Sequence, residues 1–466
     1  MKTSIRFKQI VAILGCWLFS SCEDYLEIEA PNDRIVSETV FSNDDTAISA
    51  MAGIYNQLIA VFFSGGGPDS VTVLAGLSAD DLTTIRTNNR TYMEFEQHEI
   101  LPNNSRNLNL WSSAYNMIYM TNSLLEGLAN SQSLTEEVKV RLEGEAKFVR
   151  AFTYFYLVNL YGEVPLILTT DYRQNALAAR SGEEEVYQQL LIDLNESINL
   201  LGTVYTDGER IQITRNTATA LLARVQLYLK NWQEAELLSS EIINQSGTFE
   251  LLNDLDLVFL KNSKEAIWQL SPKGRGNSMT QTNESIFIIH PTLPVLSHLK
   301  LDENFINSYD EVDKRYQQWI NFHSRTNSHY AFKYKIKNST EEITEYSMVM
   351  RLAEQFLIRA EARAMQGDLE GAIADLDMIR DRAGLPLFAD INPGISKEEL
   401  LTSILEERKK ELFTEWGHRW LDLKRTQRIE EVFGAADPFW QPTDVLYPIP
   451  EEERIKNPNL TKNDGY

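Results

Sequence analysis

Residues 352–384, LAEQFLIRAEARAMQGDLEGAIADLDMIRDRAG, constrain the fold of this chain more than any other stretch. Leu352, Phe356, Leu357, Ala360 and Ala364 recur at three- and four-residue steps, which puts them on one face of a helix. Gly367-Asp368 interrupts that pattern; Ala372, Ile373, Leu376, Ile379 and Ala383 resume it until Gly384, with Pro386 beyond, ends it. Ala360, Ala362 and Ala364 are small enough to let a neighbouring helix approach closely. The spacing predicts a helix–turn–helix unit of tetratricopeptide type, and such a unit cannot bury its apolar face without further copies. Residues 216–245 supply one: they align without a gap, with Ala223 on Ala360, Ala235 on Ala372 and the turn Asn231-Trp232 on Asp368-Leu369. A looser third pair joins a helix around 111–129 to a longer one at 134–161. The expected fold is mostly α, with tetratricopeptide-like helix pairs in 111–245 and 352–425.

The beginning of the chain indicates where it works. Lys2, Arg6 and Lys8 precede an apolar run from Ile10 to Phe19, followed by Ser20-Ser21-Cys22. The run is about half the length needed to span a bilayer and has the flanks of a secretory signal. Residues 1–21 are therefore expected to be removed. Cys22, directly after a small residue at the end of that run, resembles a bacterial lipobox cysteine, whose sulfur carries diacylglycerol. Residues 22–40 would then form a lipidated tether and 41–466 a single domain, since multiple acyl chains hold a protein on a membrane where one does not. The other cysteine, Cys16, lies in the leader, leaving the mature chain without a disulfide or a thiolate metal site. The net charge of −23, more negative still without the leader cations, argues against nucleic acid or anionic lipid as partners.

Between these landmarks the periodicity gives a coarse map. An amphipathic helix starts near Ser42 or Asn43, carries Ala47, Met51, Ile54 and Leu58 inward, and ends before Gly65-Gly66-Gly67-Pro68. Residues 77–110, polar and rich in Asn and Thr, are expected to form a long loop. Ser133 and Glu136 predict a capping box for the helix that reaches Tyr161, whose Tyr154, Phe155, Tyr156 and Tyr161 are expected to be core. Glu183-Glu184-Glu185 favours a helix start by complementing its dipole. Residues 248–346 lack sustained helical periodicity and form an irregular insert with strand-like runs at 266–270 and 285–289. Ser396 and Glu399 box the start of another helix, and the tail from Phe439 is expected to be extended.

No reaction centre emerges. The six histidines are scattered, no HExxH or paired-histidine spacing occurs, and no carboxylates have metal-loop spacing. Lys273-Gly274-Arg275-Gly276 lacks the strand and lysine of a phosphate loop, and no GxSxG elbow is present. Neither catalytic residues nor a metal or other cofactor is expected. Aromatic and amide chemistry remains. Sugars present C–H faces to rings and hydroxyls to amides, carboxylates and guanidinium groups, so a glycan site needs both on an irregular surface. Two stretches offer this: 80–110, with Asp80, Asp81, Arg86, Asn88, Asn89, Arg90 and Tyr92, and 309–334, with Tyr309, Tyr316, Trp319, Phe322, His323, Tyr330 and Tyr334. The glycan-contacting candidates are Trp319, Tyr316, Tyr330, Tyr92, Arg86, Asn88 and Asp81. Trp319 leads them, because its polar neighbourhood offers little helical core to join.

Taken in order, CEDYL at Cys22, GEAKFVRAFTYFYLVNLYGEVPL at 144–166, RAEARAMQGDLEGAIADLDMIRDRAGL at 359–385, EERKKELFTEWGHRWLDLKR at 406–425 and the ending YPIPEEERIKNPNLTKNDGY resemble the SusD/RagB family of Bacteroidetes outer-membrane lipoproteins. The likeness covers nearly the whole mature chain. It implies a surface-exposed lipoprotein with four tetratricopeptide-like helix pairs behind an irregular ligand face. Such a protein would act as a lid over a TonB-dependent transporter of SusC type, capturing oligosaccharides and releasing them into the barrel. The alternatives are a repeat scaffold that recognises protein or peptide in its groove and a glycan-cleaving enzyme.

Overall fold

The computed structural model describes residues 37–276, 279–434 and 437–466. The expected leader 1–21, the lipidation site Cys22 and the tether as far as residue 36 lie outside the described residues. Helix α1 (Asp44–Ala60) is capped by Asn43, whose side chain accepts from Thr46 N. Then come α2 (Val71–Ser78), β1 (Leu82–Thr84), α3 (Arg90–Glu96), α4 (Ser105–Asn130) and α5 (Glu136–Tyr161). Next are α6 (Glu183–Leu200), α7 (Arg215–Tyr228), α8 (Trp232–Ile243) and β2 (Ala266–Leu270). The insert continues through α9 (Asn283–Ile288), β3 (Leu299–Leu301), α10 (Lys314–Trp319), β4 (Ile320–His323), β5 (Ser328–Ala331) and β6 (Ser347–Arg351). The closing helices are α11 (Leu352–Gln366), α12 (Leu369–Ala383), α13 (Lys397–Leu412) and α14 (His418–Arg425).

The two aligned repeats are α7–α8 and α11–α12, and they share a turn geometry. Gly367 adopts a left-handed φ of 91°, with Gly367 N bonded to Ala364 O at 3.1 Å and Asp368 N to Arg363 O at 3.0 Å. Lys230, at the aligned position, has φ of 61° and makes the same two bonds, to Leu227 O at 3.1 Å and from Asn231 N to Gln226 O at 2.9 Å. A lysine held in that conformation costs about 1–2 kcal/mol that glycine avoids. The helices pack in a continuous path: α4 on α5, α5 on α6, α6 on α7, α8 on α11, α11 on α13 and α14 back onto α2. Every residue of α5 from Phe148 to Tyr161 is buried, so its aromatic stripe is core, with Phe152 edge-on to Trp268 at 5.3 Å and to Trp416 at 5.1 Å. Buried hydrophobic residues from Phe41 to Leu460 belong to one core.

Several local expectations are corrected. Residues 77–110 hold the end of α2, then β1, α3 and the start of α4 instead of a loop, because Leu82, Tyr92, Phe95 and Ile100 are buried anchors spaced along short elements. The start of α5 is not boxed by Ser133 and Glu136. Its N-cap is Thr135, whose N–H and Oγ1–H both donate to the Asp44 carboxylate, at 2.9 and 2.8 Å. Residues 285–289 belong mainly to helix α9, capped by the Thr282 side chain accepting from Ser285 N at 3.1 Å. The tail carries a short helix, Glu451–Lys456. The Ser396–Glu399 capping box forms as expected.

The insert is fastened to the repeats by one antiparallel strand pair and a buried ion network, and two further antiparallel pairs tie it to β1 and fold it on itself. β2 pairs with β6, which runs directly into α11; β1 pairs with β3, and β4 with β5. At the end of β6, Arg351 pairs with Glu265 at 2.8 Å and with Glu415 at 2.8 Å, and also with Glu411. Arg382 bridges Glu265 at 2.7 Å and also binds Glu411, while Arg315 binds Asp313 at 2.8 Å, Glu407 at 2.6 Å and Glu411 at 3.2 Å. Burial alone would raise the Glu411 carboxyl, yet Arg382, Arg351 and Arg315 hold it far below the usual carboxylate range. Burial pushes Lys333, paired with Glu415, down to about 8.

Candidate functional site

The two ring-bearing stretches meet through β3. Its register sets Leu82 opposite Leu301 and Thr84 opposite Leu299, while β3 also touches β5 of the hairpin. Beyond the strand end Ile85 N donates to His298 O at 2.9 Å, so Arg86 emerges beside His298. There the rings of Phe287, at the end of α9, and His298 stack at 5.2 Å between centroids and 15° between planes, both half-buried. Tyr92 lies beneath, 6.1 Å from Phe287, with the Arg106 guanidinium 3.6 Å over its ring. Arg106 is matched by Asp69, which also accepts from Asn109 at 2.7 Å. Burial lowers His298 below the usual histidine range, and Arg86, Arg106 and Lys337 push it further in the same direction. After Arg86, Thr87 and Asn88 lead into a separate polar cleft of about 460 Å³, lined also by Arg90, Glu94, Gln97 and Glu99, within the range of roughly 300–1,000 Å³ usual for ligand pockets.

The seven candidates separate by burial. Trp319 is 0% exposed: its Nε1–H donates to Leu255 O at 3.1 Å, and Lys333 lies 4.9 Å over its ring. It has no face to offer a sugar, which corrects the expectation built on its polar sequence neighbours. Asp81, 3% exposed, is turned inward, its Oδ2 accepting from Thr414 N at 3.3 Å. Burial, with Asp80 beside it, raises the Asp81 carboxyl to about 7. Asp80 is drawn down to about 2 because Arg419 and Lys409 outweigh its burial. Tyr92, 1% exposed, donates its hydroxyl to Pro68 O at 3.0 Å and supports the platform from below. Tyr330, 7% exposed, is covered by His290, stacked at 4.6 Å and 23°. Burial brings His290 to about 4, and its Nε2–H donates to Leu299 O at 2.6 Å, which fixes the ring. Neither Tyr92 nor Tyr330 has an open ring face. Arg86 and Tyr316 are half-exposed and Asn88 is exposed. Tyr316 stands apart from the platform, near Tyr309 and His329, on the side of the hairpin that carries the 48% exposed Phe322.

Phe287 and His298 are rings of this candidate platform that sequence reasoning missed. They lie eleven positions apart in irregular sequence, and only the β1–β3 ladder sets them beside Arg86; the segment's prolines and its two histidines, His290 and His298, were the available signal. Among the described residues no group of three or more His, Cys, Asp or Glu side chains is arranged to hold a metal ion, and no helix is long and apolar enough to cross a membrane.

Helical repeats behind an irregular face with stacked rings, a half-exposed guanidinium and a polar cleft define a ligand-binding scaffold. Residues 24–227 match the family described as starch-binding and associating with the outer membrane, and residues 302–466 match the SusD family. The SusD-like protein P2 of Formosa agariphila is 30% identical over 414 residues, covering 76% of this chain and 80% of the relative. Among solved structures, a SusD superfamily protein from Bacteroides vulgatus superposes with a TM-score of 0.81 at 20% identity, covering 92% of this chain and all of the other. A laminarin-binding SusD-like protein superposes with a TM-score of 0.77 at 22% identity, over 91% of this chain and 100% of its own. The chain belongs to the SusD/RagB family.

Proposed function

We propose that this protein is a lipid-anchored lipoprotein of the outer membrane, facing the cell exterior, that captures oligosaccharides and hands them to a TonB-dependent transporter of SusC type. The observation that carries the binding reading is the half-buried Phe287–His298 stack, with Arg86 beside it and Asn88 exposed two residues further on. A ring face takes the C–H side of a pyranose, while amide and guanidinium groups take its hydroxyls. Laminarin binding by a protein of the same fold supports the substrate class. The repeats would dock the transporter. A cavity of about 370 Å³ among them, lined by Leu227, Trp232, Met365, Leu401 and Leu405 with Lys230 and Arg428, offers apolar contact for a protein partner.

Calorimetry of the chain from Glu23 onward against a broad oligosaccharide panel, with unrelated polymers as controls, tests capture. Binding to at least one glycan is expected, and a clean negative would favour the groove as a site for protein or peptide. Anchoring has its own test. Cys22→Ala is expected to move the protein out of the membrane fraction, and unchanged association would contradict a lipid on that sulfur.

A further inference from the structure

We propose that the glycan this face takes is anionic, its carboxylate or sulfate ester held by Arg86 and Lys337 while a sugar ring lies on the Phe287–His298 stack. The inference rests on the capture reading above and adds the charge of the substrate. Arg86 leaves β1 directly beside His298, half-exposed, with no hydrogen-bond or ion-pair partner for its side chain among the described residues. Lys337 donates its ammonium protons to the carbonyls of Ile286 and Ile289, which flank Phe287. Those bonds orient the ammonium and leave its charge unmatched, since carbonyls are neutral. From the turn between β4 and β5 the exposed Arg325 donates to Thr292 O of the 286–298 segment at 2.9 Å, again with no carboxylate partner among the described residues.

Of the three cations that act on His298, Arg106 is the one with a carboxylate, Asp69, while in the cleft after Arg86 the Arg90 guanidinium is paired with Glu94 at 3.2 Å. The charges close enough to act on His298 are Arg86, Arg106 and Lys337, with no carboxylate among them. This local excess of positive charge sits on a chain whose net charge is −23. Screening confines long-range repulsion of an acidic polymer to about 8–10 Å in physiological salt, so the site's own charges decide what binds. A guanidinium fork matches a carboxylate or a sulfate with two parallel bonds, and such charge-assisted bonds are roughly twice as strong as neutral ones. A neutral glycan would leave both cations without an anionic partner.

The test uses the purified full chain in detergent with four charged or charge-stripped polymers and two neutral ones. Polygalacturonate is paired with its carboxyl-reduced form, and carrageenan, whose anionic groups are sulfate esters alone, with its desulfated form, beside laminarin and unsubstituted xylan. At least one charged polymer is expected to bind, with its stripped partner about tenfold weaker and with affinity falling as sodium chloride rises. Arg86→Gln is expected to lose about tenfold toward the charged polymer and little toward the stripped one. Which pair responds tells carboxylate from sulfate. Equal binding of charged and stripped forms, or binding confined to laminarin and xylan, overturns the anionic assignment and leaves glycan capture standing. Binding to none of the six overturns both.

Discussion

Two places in this protein bring aromatic rings and cations together. Around Trp319 the rings are buried, and Lys333, Arg351 and Arg382 stand over them already matched by Glu265, Glu411 and Glu415. Around Phe287 the rings are half-buried, and Arg86 and Lys337 have no carboxylate of the protein to answer them. Even Asp81, one residue before β1, is pushed toward its uncharged form by burial. The same residue types stand in opposite states: where the chain supplies its own anions the cluster joins the insert to the repeats, and where it withholds them the proposed anionic ligand would complete the cluster.

The comparison predicts different costs for disturbing each place. The largest belongs to the completed cluster. Glu411→Ala strips a carboxylate shared by Arg315, Arg351 and Arg382, and leaving buried charge unmatched typically costs about 3–5 kcal/mol. Urea unfolding should show a loss of that order; a loss under about 1 kcal/mol would mean the network does not hold the insert. A smaller effect sharpens the other side. Asp81 is raised to about 7 when folded, above its unfolded value near 4, so the folded state binds more protons between those values. Its contribution is full below pH 4 and is lost as pH rises through about 7. Asp81→Asn should therefore flatten the fall in stability between pH 5 and 6 by about 1 kcal/mol per pH unit. Parallel profiles for the two proteins would show that Asp81 is ionised in the fold.

What could be read from the sequence followed from how local each cause is. The paired repeats were legible because their period, their small residues and the turn at Gly367 or Lys230 all fall within one thirty-residue window. The Ser396–Glu399 box is equally local, whereas the cap of α5 depends on Asp44, 91 residues away from Thr135. The six-residue helix α9 has too short an apolar run for periodicity to tell helix from strand. Trp319 was misjudged for a related reason. Its neighbours Gln318 and Gln317 are polar, but the groups that bury it, Leu255 and Phe259 among them, come from sixty residues upstream. Arg86 and Asn88, singled out by residue type in irregular sequence, are not buried, while the placing of Phe287 and His298 beside Arg86 depends on a strand pairing that no local pattern shows.

The central claim, that ligand binding lies at the Phe287 stack and not at Trp319, is tested most directly by one paired experiment. Phe287→Ala and Trp319→Ala are each titrated by calorimetry with a glycan that the wild-type protein binds, and each is melted alone. The account predicts that Phe287→Ala weakens binding by about 1–2 kcal/mol with little change in melting. Trp319→Ala should lose about 3–5 kcal/mol of stability while its folded fraction keeps the wild-type affinity. Undiminished affinity in Phe287→Ala, or lost affinity in folded Trp319→Ala, would contradict it.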